Sequence, residues 1–251
     1  MITETEVKTN CGLSAIAGRI SILLIAFSIH LPGLAFNFTP IEATLRPAGS
    51  GATQTFSVEN PSPSPVAVEI TMHTRDITVE GEDVLAPADD LFVVYPSQLI
   101  LQPGARQSVR VQWSGPAELD KERAFRLIAE ELPISLEAED REGAGLDLLV
   151  RYVASVYVQP QGAEARLSIE AEPTEAGIGL LVRNQGTMRA VLRAADYAIY
   201  ADGEPVTLDD GQLEALAAVN ILAGNTRRLP IPGSAELADQ VLEVRWLRDS
   251  D

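Results

Sequence analysis

The chain of 251 residues carries 36 acidic against 19 basic side chains, a formal net charge of −17, and 46% hydrophobic residues. That length admits one large domain or two small ones, and the apolar fraction excludes global disorder. So acidic a surface repels phosphate backbones and excludes nucleic acid as a partner; the single cysteine, Cys11, with no CxxC partner and no histidine cluster, excludes disulfide and zinc scaffolds.

Ile20 to Phe27 (ISILLIAF) has the length of a signal-peptide apolar region, short for a membrane-spanning helix. Lys8 and Arg19 precede it, and Gly33 and Ala35 place small residues three and one positions before a cleavage after Ala35. Residues 1–35 are therefore predicted to be a signal peptide; a buried N-terminal helix or an uncleaved anchor is the alternative. Glu4 and Glu6 balance Lys8 and Arg19, so the part from Phe36 onward keeps the full charge and loses the cysteine.

From Phe36 on the apolar pattern has period two. Thr53 to Val58 and Val66 to Met72 alternate, separated by the proline-rich Asn60 to Pro65, which cannot continue a strand ladder. Leu91 to Val94 and Gln98 to Leu101 flank Pro96, and Pro103-Gly104 marks a turn before the alternating Ser108 to Trp113. Arg123 to Leu132 has a composition that also suits a helix, but it lies among strands and is closed by Pro133, so a strand is predicted. Glu137 to Gly145 reads as a loop. Leu146 to Val158 (LDLLVRYVASVYV) is the most apolar and β-branched run, longer than an ordinary strand. Such a run needs cover on both faces or an open edge, which sheets normally blunt with charge or proline.

Pro160-Gln161-Gly162 is the predicted boundary. Beyond it, Ala165 to Ile169, Gly179 to Val182, Ala190 to Ala194, Ala198 to Tyr200, Val206 to Leu208, Arg227 to Ile231 and Val241 to Trp246 are short strand candidates. Asp202-Gly203 signals a hairpin, and Gly211 to Ala218 a helical turn. Turn signals recurring about every ten residues predict an all-β chain of two immunoglobulin-like sandwiches, 36–160 and 161–251.

A resemblance then emerges from an ordered set of motifs: Asn37-Phe38-Thr39-Pro40, Ser57-Val58-Glu59-Asn60, Val94-Tyr95-Pro96-Ser97-Gln98, Leu101-Gln102-Pro103-Gly104 with the alternating strand after it, and Phe125-Arg126-Leu127-Ile128-Ala129-Glu130-Glu131-Leu132-Pro133-Ile134. Phe38 to Pro160 resembles the PapD-like periplasmic pilus-assembly chaperones, and the R-L-I-x-x-E-L-P-I strand resembles their archaic branch. Length and strand content alone extend the likeness to the second half.

The resemblance implies two sandwich domains set at an angle and a non-enzymatic chaperone of the periplasm. It would bind pilin subunits by donor-strand complementation, deliver them to an outer-membrane usher, and be able to self-associate without a client. The donor strand would be Leu146 to Val158, with Leu146, Leu148 and Val150 facing the client and Tyr152 extending the row. The family also anchors the client's C-terminal carboxylate with basic residues. The lysine of the better-known branch falls here on Ser155 and its first-strand arginine near Thr44, so this sequence departs from that pattern. The archaic anchor maps to Arg126, with Arg151 second and Arg46 third; an arginine fork suits a carboxylate, and the plain alternative for each is a solvated surface charge.

Other chemistry finds little support. His73 has no Ser or Cys partner set, and Glu130-Glu131 and Asp89-Asp90 are adjacent on strands and point to opposite faces. Asp209-Asp210-Gly211 lacks the spaced ligands of a calcium loop, and no phosphate-binding loop follows a strand. No enzyme, cofactor, metal or small-molecule substrate is predicted. A secreted sandwich adhesin or structural module, using loops for contact, is the competing reading.

Overall fold

The computed structural model describes residues 36–133, 149–174, 177–237 and 239–247. The first half contributes β1 (Asn37–Thr39), β2 (Glu42–Leu45), β3 (Thr53–Glu59), β4 (Val66–Ile77), β5 (Asp83–Pro87), β6 (Phe92–Tyr95), β7 (Gln98–Leu101), β8 (Arg106–Trp113), β9 (Arg123–Glu131) and β10 (Arg151–Val158). They form two sheets, β1-β3-β8-β6 and β2-β10-β9-β4-β5, with β7 also pairing β4.

Period two is what builds this sandwich. Val109, Val111 and Trp113 of β8 point inward while Ser108 and Arg110 point out, and from the facing sheet Val68, Ile70 and Met72 of β4 meet them with Phe125, Leu127 and Ala129 of β9. Burial thus decides the segment that had suited a helix: as a strand, Arg123–Glu131 puts every second residue into the core and pairs with β4 on one edge and β10 on the other. Phe125 is ringed by Phe92 at 4.9 Å and Trp113 at 5.6 Å between ring centroids, tying the two sheets together.

β4 continues to Ile77, beyond the alternating run, because its second half pairs with β5, a strand whose five residues are all exposed and carry no inward-outward pattern. The chain changes sheets between β1 and β2, across Pro40. The proline-rich segment after β3 is organised by fully buried Asn60, whose side-chain amide donates to the Ser64 and Leu101 carbonyls at 2.8 and 3.0 Å. Its carbonyl oxygen accepts from Ser62 N–H at 2.9 Å.

The second half contributes β11 (Leu167–Thr174), β12 (Gly177–Asn184), β13 (Ala190–Leu192), β14 (Tyr197–Ala201), β15 (Glu204–Pro205), α1 (Asp210–Ala215), β16 (Val219–Ile221), β17 (Thr226–Ile231) and β18 (Leu242–Trp246). Its small sheets, β11-β12-β17, β13-β16 and β15-β14-β18, enclose a second core of Ile178, Leu180, Val182, Tyr197, Ile199, Leu229 and Ile231. Asp202 and Gly203 both adopt positive φ, 49° and 87°, as a two-residue hairpin turn requires. That turn pairs β14 with β15 at Glu204–Pro205, displacing the predicted Val206 to Leu208 strand. Asp209 caps α1, accepting from Gln212 N–H at 2.8 Å, which accounts for the acidic tract there. Asn184 repeats the role of Asn60, donating to Met188 and Ile221 carbonyls at 2.8 and 3.1 Å.

The two cores are joined by a third apolar cluster of Ile77 from β4, Tyr157 from β10 and Leu222, backed by direct bonds such as Arg228 N–H to the Val79 carbonyl at 2.7 Å.

Candidate functional site

β10 is held on one edge by β9 along its whole length. On the other edge β2 runs parallel to it and pairs only from Ser155 to Val158. From Arg151 to Ala154 that edge has no strand partner among the described residues. Even-numbered positions point inward: Ala154, Val156 and Val158 are buried, while Val150 and Tyr152 are half-buried against the same core. Tyr152 lies 5.0 Å from Phe36 and 6.3 Å from Phe38 between ring centroids, so it is engaged by its own sandwich. Val153, on the opposite face, is 45% exposed, and Leu149 49%. Val150 precedes the strand but stays tied to β9, its carbonyl accepting from Glu131 N–H at 3.0 Å. Leu146 and Leu148 lie outside the described residues.

The three arginines singled out from the sequence stand at three levels along β10. Arg151, at its start, is half-exposed and 3.8 Å from Glu130, a surface pair of little energetic weight. Arg126 lies across from Ser155 on the outward face, with His73 of β4 on its other side. Its Nη1 donates to Ser155 Oγ at 2.6 Å, so the arginine of one family pattern sits beside the position of the lysine of the other. Arg46 follows β2 and donates from Nη1 to the Gln159 and Pro160 carbonyls at 3.4 Å, lining a cleft of about 470 Å³ with Thr44, Gln159, Met188, Arg189 and Val191.

Arg126 is not free. Its Nε and Nη2 donate to Asp83 Oδ2 at 3.1 and 2.7 Å, and Arg75 Nε donates to Asp83 Oδ1 at 3.0 Å. Burial alone would raise the Asp83 carboxyl, but bonds from Arg75 and Arg126 outweigh it and hold the group below the usual carboxylate range. Sequence reasoning missed Arg75 and Asp83; the one available signal was a pair of opposite charges flanking the Gly81 turn of a hairpin.

Just before β9, Glu122 is buried and accepts from Arg189 Nη1 at 2.8 Å and from Arg189 N–H at 3.1 Å. The same guanidinium reaches Glu42 at 3.0 Å and lies over the Tyr157 ring, 3.5 Å from its centroid. Asp89 accepts from Met72 N–H at 2.9 Å, a structural task. Among the described residues no group of His, Cys, Asp and Glu could hold a metal, and no helix is long and apolar enough to cross a membrane.

Residues 42–164 match the family described as pili and flagellar-assembly chaperone, PapD N-terminal domain. Residues 42–164 belong to that family. A chain of the chaperone–tip adhesion subunit complex CsuC-CsuE, from the archaic chaperone-usher Csu pili of Acinetobacter baumannii, aligns with a TM-score of 0.56 at 14% identity, over 78% of this chain and 90% of that one. A chain of the Salmonella enterica SafA pilin–SafB chaperone complex aligns at 0.53 and 16% identity, over 85% and 97%. The E. coli chaperone DraB aligns at 0.53 and 15%, over 86% and 96%. These likenesses show the shared all-β, two-sandwich fold. No curated protein matches the sequence.

Proposed function

We propose that this chain is an archaic-type periplasmic chaperone that captures pilus subunits by donor-strand complementation and passes them to an outer-membrane usher. The observation that carries this reading is the open edge of β10 from Arg151 to Ala154, continuing into the apolar residues before it. A sheet edge left unpaired is a template for another chain, and here the template would be used for a client. Leu146, Leu148 and Val150 fill the client's groove in this reading; Tyr152 supports them from its packing on Phe36 and Phe38. Each fully buried aliphatic contributes about 1.5–3 kcal/mol, enough in combination to hold an incomplete subunit. Arg126, fixed by Ser155, anchors the client's terminal carboxylate, ahead of exposed Arg151 and cleft-lining Arg46. Residues 1–35 direct export, residues 36–160 and 161–251 form the two domains, and no catalysis or cofactor enters the task. Without a client the same edge allows self-association.

Co-expression with a pilin subunit tests this. The expected product is a soluble one-to-one complex, with capture weakened about tenfold or more by Leu148→Asp or Arg126→Ala. A pilin equally soluble alone, or capture indifferent to both substitutions, contradicts the assignment and favours the adhesin or structural-module reading.

A further inference from the structure

A sulfur atom lines the cleft between the two sandwiches. Met188 follows β12 in the second sandwich and is held there by its backbone. Its N–H donates to the Glu164 carbonyl at 3.0 Å, and its own carbonyl accepts from Asn184 Nδ2 at 2.8 Å. From that fixed position the side chain enters the cleft of about 470 Å³ beside Thr44, Arg46 and Gln159. Met188 is partly exposed, whereas Met72, the other methionine among the described residues, is fully buried in the first core. Solvent therefore reaches one thioether and not the other.

The surroundings of this sulfur suit an oxygen better. Gln159, just after β10 in the first sandwich, donates from Nε2 to Met188 Sδ, and a thioether is a weak acceptor for an amide. Arg46, at the end of β2, is exposed in the same cleft, and its Nη1 makes only 3.4 Å contacts with the Gln159 and Pro160 carbonyls. Arg189 is already committed, to Glu122, to Glu42 and to the Tyr157 ring. Two under-used donors of the first sandwich thus share a cleft with a poorly accepting sulfur of the second. We propose that Met188 is an oxidation site whose sulfoxide oxygen accepts from Gln159 and Arg46, fastening the two sandwiches across the cleft. With a peroxide as oxidant the sulfur lone pair attacks one peroxide oxygen and the O–O bond breaks. The other oxygen leaves as water with the proton of the first; sulfur loses two electrons and the peroxide gains them. The product is polar where the thioether was apolar, and its oxygen is a strong acceptor. This site stands independently of the function proposed above.

The full chain carrying Cys11→Ser, treated with hydrogen peroxide and mapped by peptide mass spectrometry, tests the first half. Met188 is expected to gain oxygen about tenfold or more faster than Met72, with the two rates converging in urea. The second half is read by NMR. Oxidation should move the Gln159 side-chain amide and the Arg46 Nε–Hε signals together, and Met188→Leu should show neither shift. Met188→Gln, whose amide oxygen stands in for that of the sulfoxide, should move the Arg46 signal without any oxidant. Equal oxidation of Met72 and Met188 in the folded protein overturns the proposal. So does a fully oxidised Met188 that leaves the Gln159 and Arg46 signals where they were.

Discussion

Arg189→Met is expected to lower the unfolding free energy by about 3–5 kcal/mol, because it leaves the Glu122 carboxylate buried without its counter-charge. The Glu122 side chain is 1% exposed and its partner 17%, so solvent screens the pair little; the second arm, to the 58% exposed Glu42, adds little. Loss of the guanidinium from the Tyr157 ring contributes in the same direction. Burial holds the Glu122 carboxyl above the usual carboxylate range, with the Arg189 charge and bonds offsetting only part of it. A carboxyl raised in the folded state contributes stability below its unfolded pKa and loses it as pH rises through the folded value. Removing Arg189 strengthens that penalty, so the deficit should be largest near neutrality and shrink on acidification. Urea melts from about pH 7 to about pH 5 check this, and a deficit that does not change with pH contradicts it. Glu122→Gln, which keeps an amide oxygen to accept from Arg189, should cost less.

Phe125→Ala should cost about 3–5 kcal/mol through the cavity it opens between the sheets. Phe125 is fully buried, edge-on to Phe92 and tilted against Trp113, and covered by the Arg123 guanidinium 5.3 Å from its ring centroid. The surrounding rings are stiff and held from both sheets, so the site has little means to collapse, and Phe125→Leu should recover much of the loss. Because Trp113 is buried at the same spot while Trp246 is 44% exposed, denaturant unfolding followed by fluorescence reports on this contact. An alanine variant as stable as the parent would contradict the role assigned to this ring cluster.

The fold was legible where burial imposes an alternation. Ser108 to Trp113 and Gln98 to Leu101 reveal their strands because one face is core and the other solvent. β5 was not legible, since all its residues are exposed, and β1, β2 and β16 are too short to carry a period. The apolar run through β10 was visible as an anomaly, but composition could not tell a doubly covered strand from one with an open edge; the pairing with β2 over Ser155 to Val158 alone resolves that. Arg126 stood out only through its place in a family motif. Asp83, Arg75 and Arg126 come together by strand pairing, and Glu122 meets Arg189 across the two sandwiches, so no local spacing announces either group.

Thiol cross-linking along the donor strand tests the central claim most directly. With Cys11, the chain's single cysteine, replaced by serine, Leu148→Cys, Val150→Cys, Leu149→Cys and Val153→Cys are each co-expressed with a pilin bearing one cysteine in its groove. Period two predicts disulfide-linked complexes from positions 148 and 150 and none from 149 and 153, because only the inward row enters the groove. Equal linkage from both rows, or none from either in a complex that still forms, would show that the client is held by some other surface.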